Sequence, residues 1–144
     1  MKKDTWEKDL ELYIEEIRNK PFDWGIHDCV VFANQAIKVQ TGKGFFDEFL
    51  PDYDTAIKAN RTYRTMLVEM KVATLKDAID TKLTRFIGMI PPKGSIVCSV
   101  ERQRIEYGIG HKLGVAIDHR AGYLGWNGLQ FEKIKSGDVF WTVD

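Results

Sequence analysis

Apolar residues recur at helical spacing up to about position 90 and alternate with polar ones between glycines after it. Trp6, Leu10, Tyr13, Ile14 and Ile17 form one stripe, which predicts a helix from Thr5 to about Asn19. Asp4 or Thr5 can cap it, Glu7 stands where a capping box with Asp4 needs it, and Pro21 stops it. Cys29, Phe32, Ala33, Ala36 and Ile37 share the face of a second helix, with Asp28 as its N-cap and Gly42 as its C-cap. Two more helices are predicted over Asp54–Met70 and Thr74–Lys82, after a loop rich in Phe, Gly, Asp and Pro. Pro91-Pro92-Lys93-Gly94 then punctuates the chain. Strands are predicted at Ile96–Val100, Arg104–Tyr107, Leu113–Ile117, Tyr123–Trp126, Leu129–Ile134 and Val139–Val143, with Asn127-Gly128 as a two-residue hairpin signal. Helices first and strands second predict an α+β fold, N-terminal helices packed on a C-terminal antiparallel sheet.

Composition narrows the function. A chain of 144 residues suits a single domain, 1–144, with a core of its own. Lys+Arg and Asp+Glu number 21 each, and this balance, with no basic stripe, argues against a nucleic-acid partner. No apolar run approaches the roughly 20 residues that span a bilayer. The charged start, MKKDTWEKDLELY, lacks the apolar middle of a signal peptide. The expectation is a protein made and kept in a cytosol, or carried from there inside a larger assembly.

The chemistry on offer centres on Cys29. An ordinary thiol is only a few per cent thiolate at neutral pH. A helix N-terminus favours the anion by about 0.3–1 kcal/mol, so full activation needs a nearby imidazole. The same apolar face suits a small core residue, and periodicity leaves both readings open. Three imidazoles are available: His27, in the loop before the helix; His111, just before the strand Leu113–Ile117; and His119, just after it. Asn127 can orient an imidazole or simply make a turn, and Asp28 reads first as a helix cap. Cys98 alternates with Ile96 and Val100 and reads as core. The His27-x-Cys29 spacing is too short to specify a metal site, and no cofactor is expected.

The segment Phe22-Asp23-Trp24-Gly25-Ile26-His27-Asp28-Cys29-Val30-Val31-Phe32-Ala33 resembles the nucleophile region of the NlpC-type branch of papain-like cysteine peptidases. It is closer still to a small related family often encoded in phage tail modules. Trp24-Gly25, Asp28-Cys29 and Thr41-Gly42 carry that likeness. Pro92-Lys93-Gly94-Ser95-Ile96-Val97, Leu113-Gly114-Val115-Ala116-Ile117, Gly125-Trp126-Asn127-Gly128-Leu129 and Trp141-Thr142-Val143 extend it. The resemblance implies a papain-like fold and cleavage of amide bonds in peptidoglycan stem peptides. Cys29 would be the nucleophile, His111 the base and Asn127 its orienting partner, with Trp24, Asp28 and Lys112 around the substrate. The branch places its histidine two residues before the strand glycine; here that position is Lys112, and His111 stands one residue further back. A one-residue offset in a strand points to the opposite face. Ser95 also stands where the branch has Asp.

Two functions follow from these residues. One is a phage tail-associated cysteine amidase or peptidase acting on murein. The other is a catalytically degenerate papain-fold component of the phage tail tip, partnered by tail proteins. Both place the protein in the host cytoplasm during assembly and in the virion afterwards.

Overall fold

The computed structural model describes residues 1–49, 53–101 and 112–144. Helix α1 spans Trp6–Ile17 and buries Leu10 and Ile17 from the expected stripe; Tyr13 stacks on Phe32 of the next helix, ring centroids 6.3 Å apart. The expected capping box does not form. Thr5 occupies the cap position, which moves the third helical position from Glu7 to Lys8, and its hydroxyl donates to Asp9 at 2.8 Å.

Helix α2, Cys29–Thr41, has the predicted limits: Asp28 caps its start, and Gly42, at φ +89°, closes it in the left-handed conformation. Helices α3 (Ala56–Met70) and α4 (Leu75–Asp80) begin one residue after threonines whose hydroxyls accept from the backbone N–H of Lys58 and Asp77. That choice of cap starts α3 two residues later than its apolar pattern suggests.

Six strands follow: β1 Thr84–Phe86, β2 Ile96–Cys98, β3 Leu113–Ile117, β4 Arg120–Gly125, β5 Gly128–Lys133 and β6 Val139–Thr142. They form one antiparallel sheet in the order β1-β6-β2-β3-β4-β5. The α+β class holds. β1 has no counterpart among the expected strands, because three residues are too few for alternation to show. β4 starts three residues before its expected position, since Ala121 and Gly122 carry no strand signal of their own. The expected strand Arg104–Tyr107 lies outside the described residues.

The β4–β5 turn corrects the hairpin reading. Gly125 pairs with Gly128, so the loop residues are Trp126 and Asn127. Gly128 is the first residue of β5, at φ +134°, and a Cβ there would sit 2.3 Å from the Arg18 carbonyl oxygen. Leu129 N–H donates to that carbonyl at 2.9 Å, so this corner of the sheet is tied to the end of α1.

Alternation along the strands decides what faces α2. Ile96, Cys98, Leu113, Val115 and Trp141 point into the layer that holds Cys29, Phe32, Ala33, Ala36 and Ile37. Val97, Ala116, Ala121, Tyr123 and Phe140 form a second buried cluster on the other face. Among the described residues no helix is long and apolar enough to cross a membrane.

Candidate functional site

The loop ahead of α2 folds back on itself. Asp23 and His27 exchange backbone hydrogen bonds of 3.0 and 2.7 Å. Gly25 sits at φ +76°, where a Cβ would lie 1.9 Å from the Tyr53 carbonyl oxygen. Only glycine satisfies both the backbone angle and that close approach. The loop turns Ile26 outward and leaves His27, Asp28 and Cys29 buried.

Asp28 organises this corner. One carboxylate oxygen accepts from the N–H groups of Val30 (3.1 Å) and Val31 (3.0 Å); the other accepts from Gly25 N–H at 2.9 Å. The Tyr53 hydroxyl donates to the same carboxylate. Burial and the Asp28 charge both hold the Tyr53 phenol above its ordinary range. The role of Asp28 in this geometry is thus to shape the loop and cap the helix.

Cys29 is the first residue of α2 and 4% exposed. Its sulfur faces the backbone N–H of Leu113, at the start of β3. That amide and the residue's own N–H favour the thiolate, but burial outweighs them and the Asp28 charge adds to burial. Together they push the thiol up to about 12. Cys98 lies in β2 as a buried core residue, its thiol also raised by burial.

The imidazoles are spread out. His27 is buried with its ring edge against Phe32, centroids 6.4 Å apart, and its Nε2 has no hydrogen-bond partner among the described residues. Burial, with a smaller effect of the Lys20 charge, lowers it to about 4. His119 is exposed in the β3–β4 turn. His111 lies outside the described residues.

The His27 shift has a consequence for stability. In the unfolded chain an imidazole titrates near 6.5, so the unfolded state takes up a proton that the folded state refuses until about pH 4. The stabilisation is complete above pH 6.5 and is lost as pH falls towards 4. By pH 5 the loss is about 2 kcal/mol. Urea unfolding at a series of pH values should show this slope, and His27→Gln should flatten it between pH 5 and 7. A slope that the substitution leaves unchanged would assign the acid sensitivity elsewhere.

Lys112 does not join Cys29. Its ammonium lies 2.7 Å from Glu132 and 4.5 Å above the Tyr123 ring, on the face of the sheet away from α2. Glu101 and Lys135 extend the ion pairing, with Lys135 at 2.7 Å from Glu101 and 3.0 Å from Glu132. Asn127 stands exposed in the β4–β5 turn. That turn reaches the loop before α2, because Phe22 N–H donates to the Trp126 carbonyl at 3.3 Å. Phe22 meets Trp24 and Trp126 edge-on, at 5.0 and 5.4 Å, and Trp24 meets Tyr53 at 6.4 Å. The fold therefore gathers Trp24, Asp28, Cys29 and the Asn127 turn around one corner and leaves Lys112 out of it. Tyr53 and the Leu113 amide join the corner with no sequence signal to mark them, since both arrive from distant parts of the chain. No three His, Cys, Asp or Glu side chains among the described residues converge on a metal-sized site.

The family model of a domain of unknown function, DUF6950, matches residues 1–143. The chain belongs to this family. For this DUF6950 chain no curated protein and no solved structure gives a match.

Proposed function

We propose that this DUF6950 chain is a papain-like scaffold of the NlpC type that works without catalysis, as a structural or assembly component of a phage tail tip. The supporting observation is the setting of Cys29: a sulfur closed in by the core, with its thiol pushed up to about 12. A thiol held protonated is a poor nucleophile. The position where the NlpC branch carries its histidine holds Lys112, which is committed to Glu132 on the far face. The tail setting rests on the resemblance to proteins of phage tail modules.

One observation favours the hydrolase reading instead. The Leu113 N–H is directed at the sulfur, and a helix start with an adjacent backbone amide is the material of an oxyanion site. A working amidase would use Cys29 as nucleophile on a peptidoglycan amide, His111 as base and Asn127 to orient it. It needs His111, two residues before Leu113, to reach the sulfur.

Alkylation separates the two. A thiol raised by about three pH units carries about 1000-fold less thiolate at a given pH. Iodoacetamide at pH 7 is expected to label Cys29 at least about 100-fold more slowly in the folded protein than in urea. Fast labelling of folded Cys29 at pH 6, ahead of Cys98, would overturn the scaffold reading and restore the amidase. In a phage that encodes the chain, Cys29→Ala should leave particles infectious, and the chain should co-purify with tail proteins.

A further inference from the structure

We infer that the loop of residues 23–27 is an acid-sensitive latch: when His27 takes up a proton, the loop opens on its own and releases its hold on Asp28 at the start of α2, while the helices and the sheet stay folded. This inference goes beyond the scaffold reading and is independent of whether Cys29 reacts.

His27 is 1% exposed, and its Nε2 is enclosed with no hydrogen-bond partner among the described residues. An imidazolium donates from both nitrogens, so a proton taken up here leaves a charged N–H without an acceptor. The surrounding groups supply no counter-charge. Lys20, beyond the end of α1, repels a second positive charge. From α2 the ring meets the apolar edge of Phe32. The Asp28 carboxylate already accepts from the N–H groups of Gly25, Val30 and Val31 and from the Tyr53 hydroxyl. Asp23, joined to His27 through the backbone, is an exposed residue. The charged ring is relieved by reaching water, and the loop that carries it stands in the way.

The loop is built to open locally. Its hydrogen bonds close within residues 23–28: Asp23 and His27 exchange two, Ile26 N–H donates to the Asp23 carbonyl at 3.2 Å, and Gly25 N–H donates to Asp28 at 2.9 Å. Breaking them disturbs no strand pairing and no bond inside a helix. Segments tied by a few local bonds open at a lower free energy than the whole domain. The gain from protonation is the same whichever way the ring reaches water, so the lesser opening comes first. With the ring near 6.5 in water and about 4 in the closed loop, the open fraction rises about 20-fold from pH 7 to pH 5. The same factor taken from the global equilibrium leaves a domain of ordinary stability folded.

Amide hydrogen exchange of the whole chain, followed residue by residue by NMR from pH 7 to pH 5, tests this. After correction for intrinsic rates, exchange of the Gly25 and His27 N–H groups should quicken about 20-fold at pH 5. Low concentrations of urea should leave it unchanged, because a local opening exposes little surface. The Ala116 N–H, bonded to the Ser95 carbonyl within the sheet, should stay at least about 100-fold better protected at pH 5. In His27→Gln the acceleration at Gly25 should vanish. Loop exchange that matches Ala116 and rises with urea would place the proton uptake in global unfolding and overturn the latch. So would loop exchange that ignores pH in the wild-type chain, or an acceleration that persists in His27→Gln. The wild-type series decides by itself if the variant fails to fold.

Discussion

Trp141→Ala is expected to lower the unfolding free energy by about 4 kcal/mol, at the centre of the range for deleting a fully buried large ring. Trp141 is completely buried in β6, between β1 and β2, on the face turned to α2. Its indole N–H donates to Asp80 at 2.7 Å, at the end of α4, and the Arg85 guanidinium lies 5.6 Å from its ring. Arg85 also makes two hydrogen bonds to Asp80, of 3.1 and 3.2 Å. One residue thus fastens α4 and the edge strand β1 to the sheet. Alanine leaves a cavity and removes a partner from Asp80. Trp141→Phe keeps most of the volume and should cost only about 1–2 kcal/mol, the value of the lost hydrogen bond and some packing. Urea unfolding should show the midpoint moving with an unchanged slope. Equal losses for the two variants would mean that the Asp80 contact, rather than ring burial, carries the effect.

Asp28→Ala should cost about 3–4 kcal/mol, roughly 10 °C in Tm for a domain of this size. Loss of the cap to α2 accounts for about 1 kcal/mol. The rest comes from the Gly25 N–H and the Tyr53 hydroxyl, both buried and left without an acceptor, at about 1–3 kcal/mol each. Asp28→Asn retains one acceptor oxygen for Val30 and Val31 and should fall between wild type and alanine. Tyr53→Phe should cost about 1 kcal/mol, because Asp28 keeps its three backbone donors. Thermal unfolding of the three variants orders them. A loss below 1 kcal/mol for Asp28→Ala would show that Asp28 merely caps the helix and does not brace the loop. The point bears on function, because Cys29 is the next residue and its sulfur is aimed by the start of α2.

The sequence by itself determined whatever depends on short range. Asp28 and Gly42 bounded α2 because caps act over one turn. The Leu113–Ile117 strand could be read at full length because Leu, Val and Ile alternate with Gly and Ala. The order of helices and strands settled the α+β class. It also placed Cys29 in the first turn of a helix, since a cap defines the next residue.

Only the tertiary structure decided the rest. Glu7 missed its capping role by one helical position, which no local signal distinguishes. Three-residue β1 exists only because β6 pairs with it. The hairpin turn shifted by one residue because Gly128 is pressed against the Arg18 carbonyl, a contact across more than a hundred positions of chain. The burial that raises the Cys29 thiol comes from the core layer to which Phe32 of α2 and Leu113 of β3 belong. That surrounding is assembled from separate elements, and the cost of ionising a thiol depends on all of them at once.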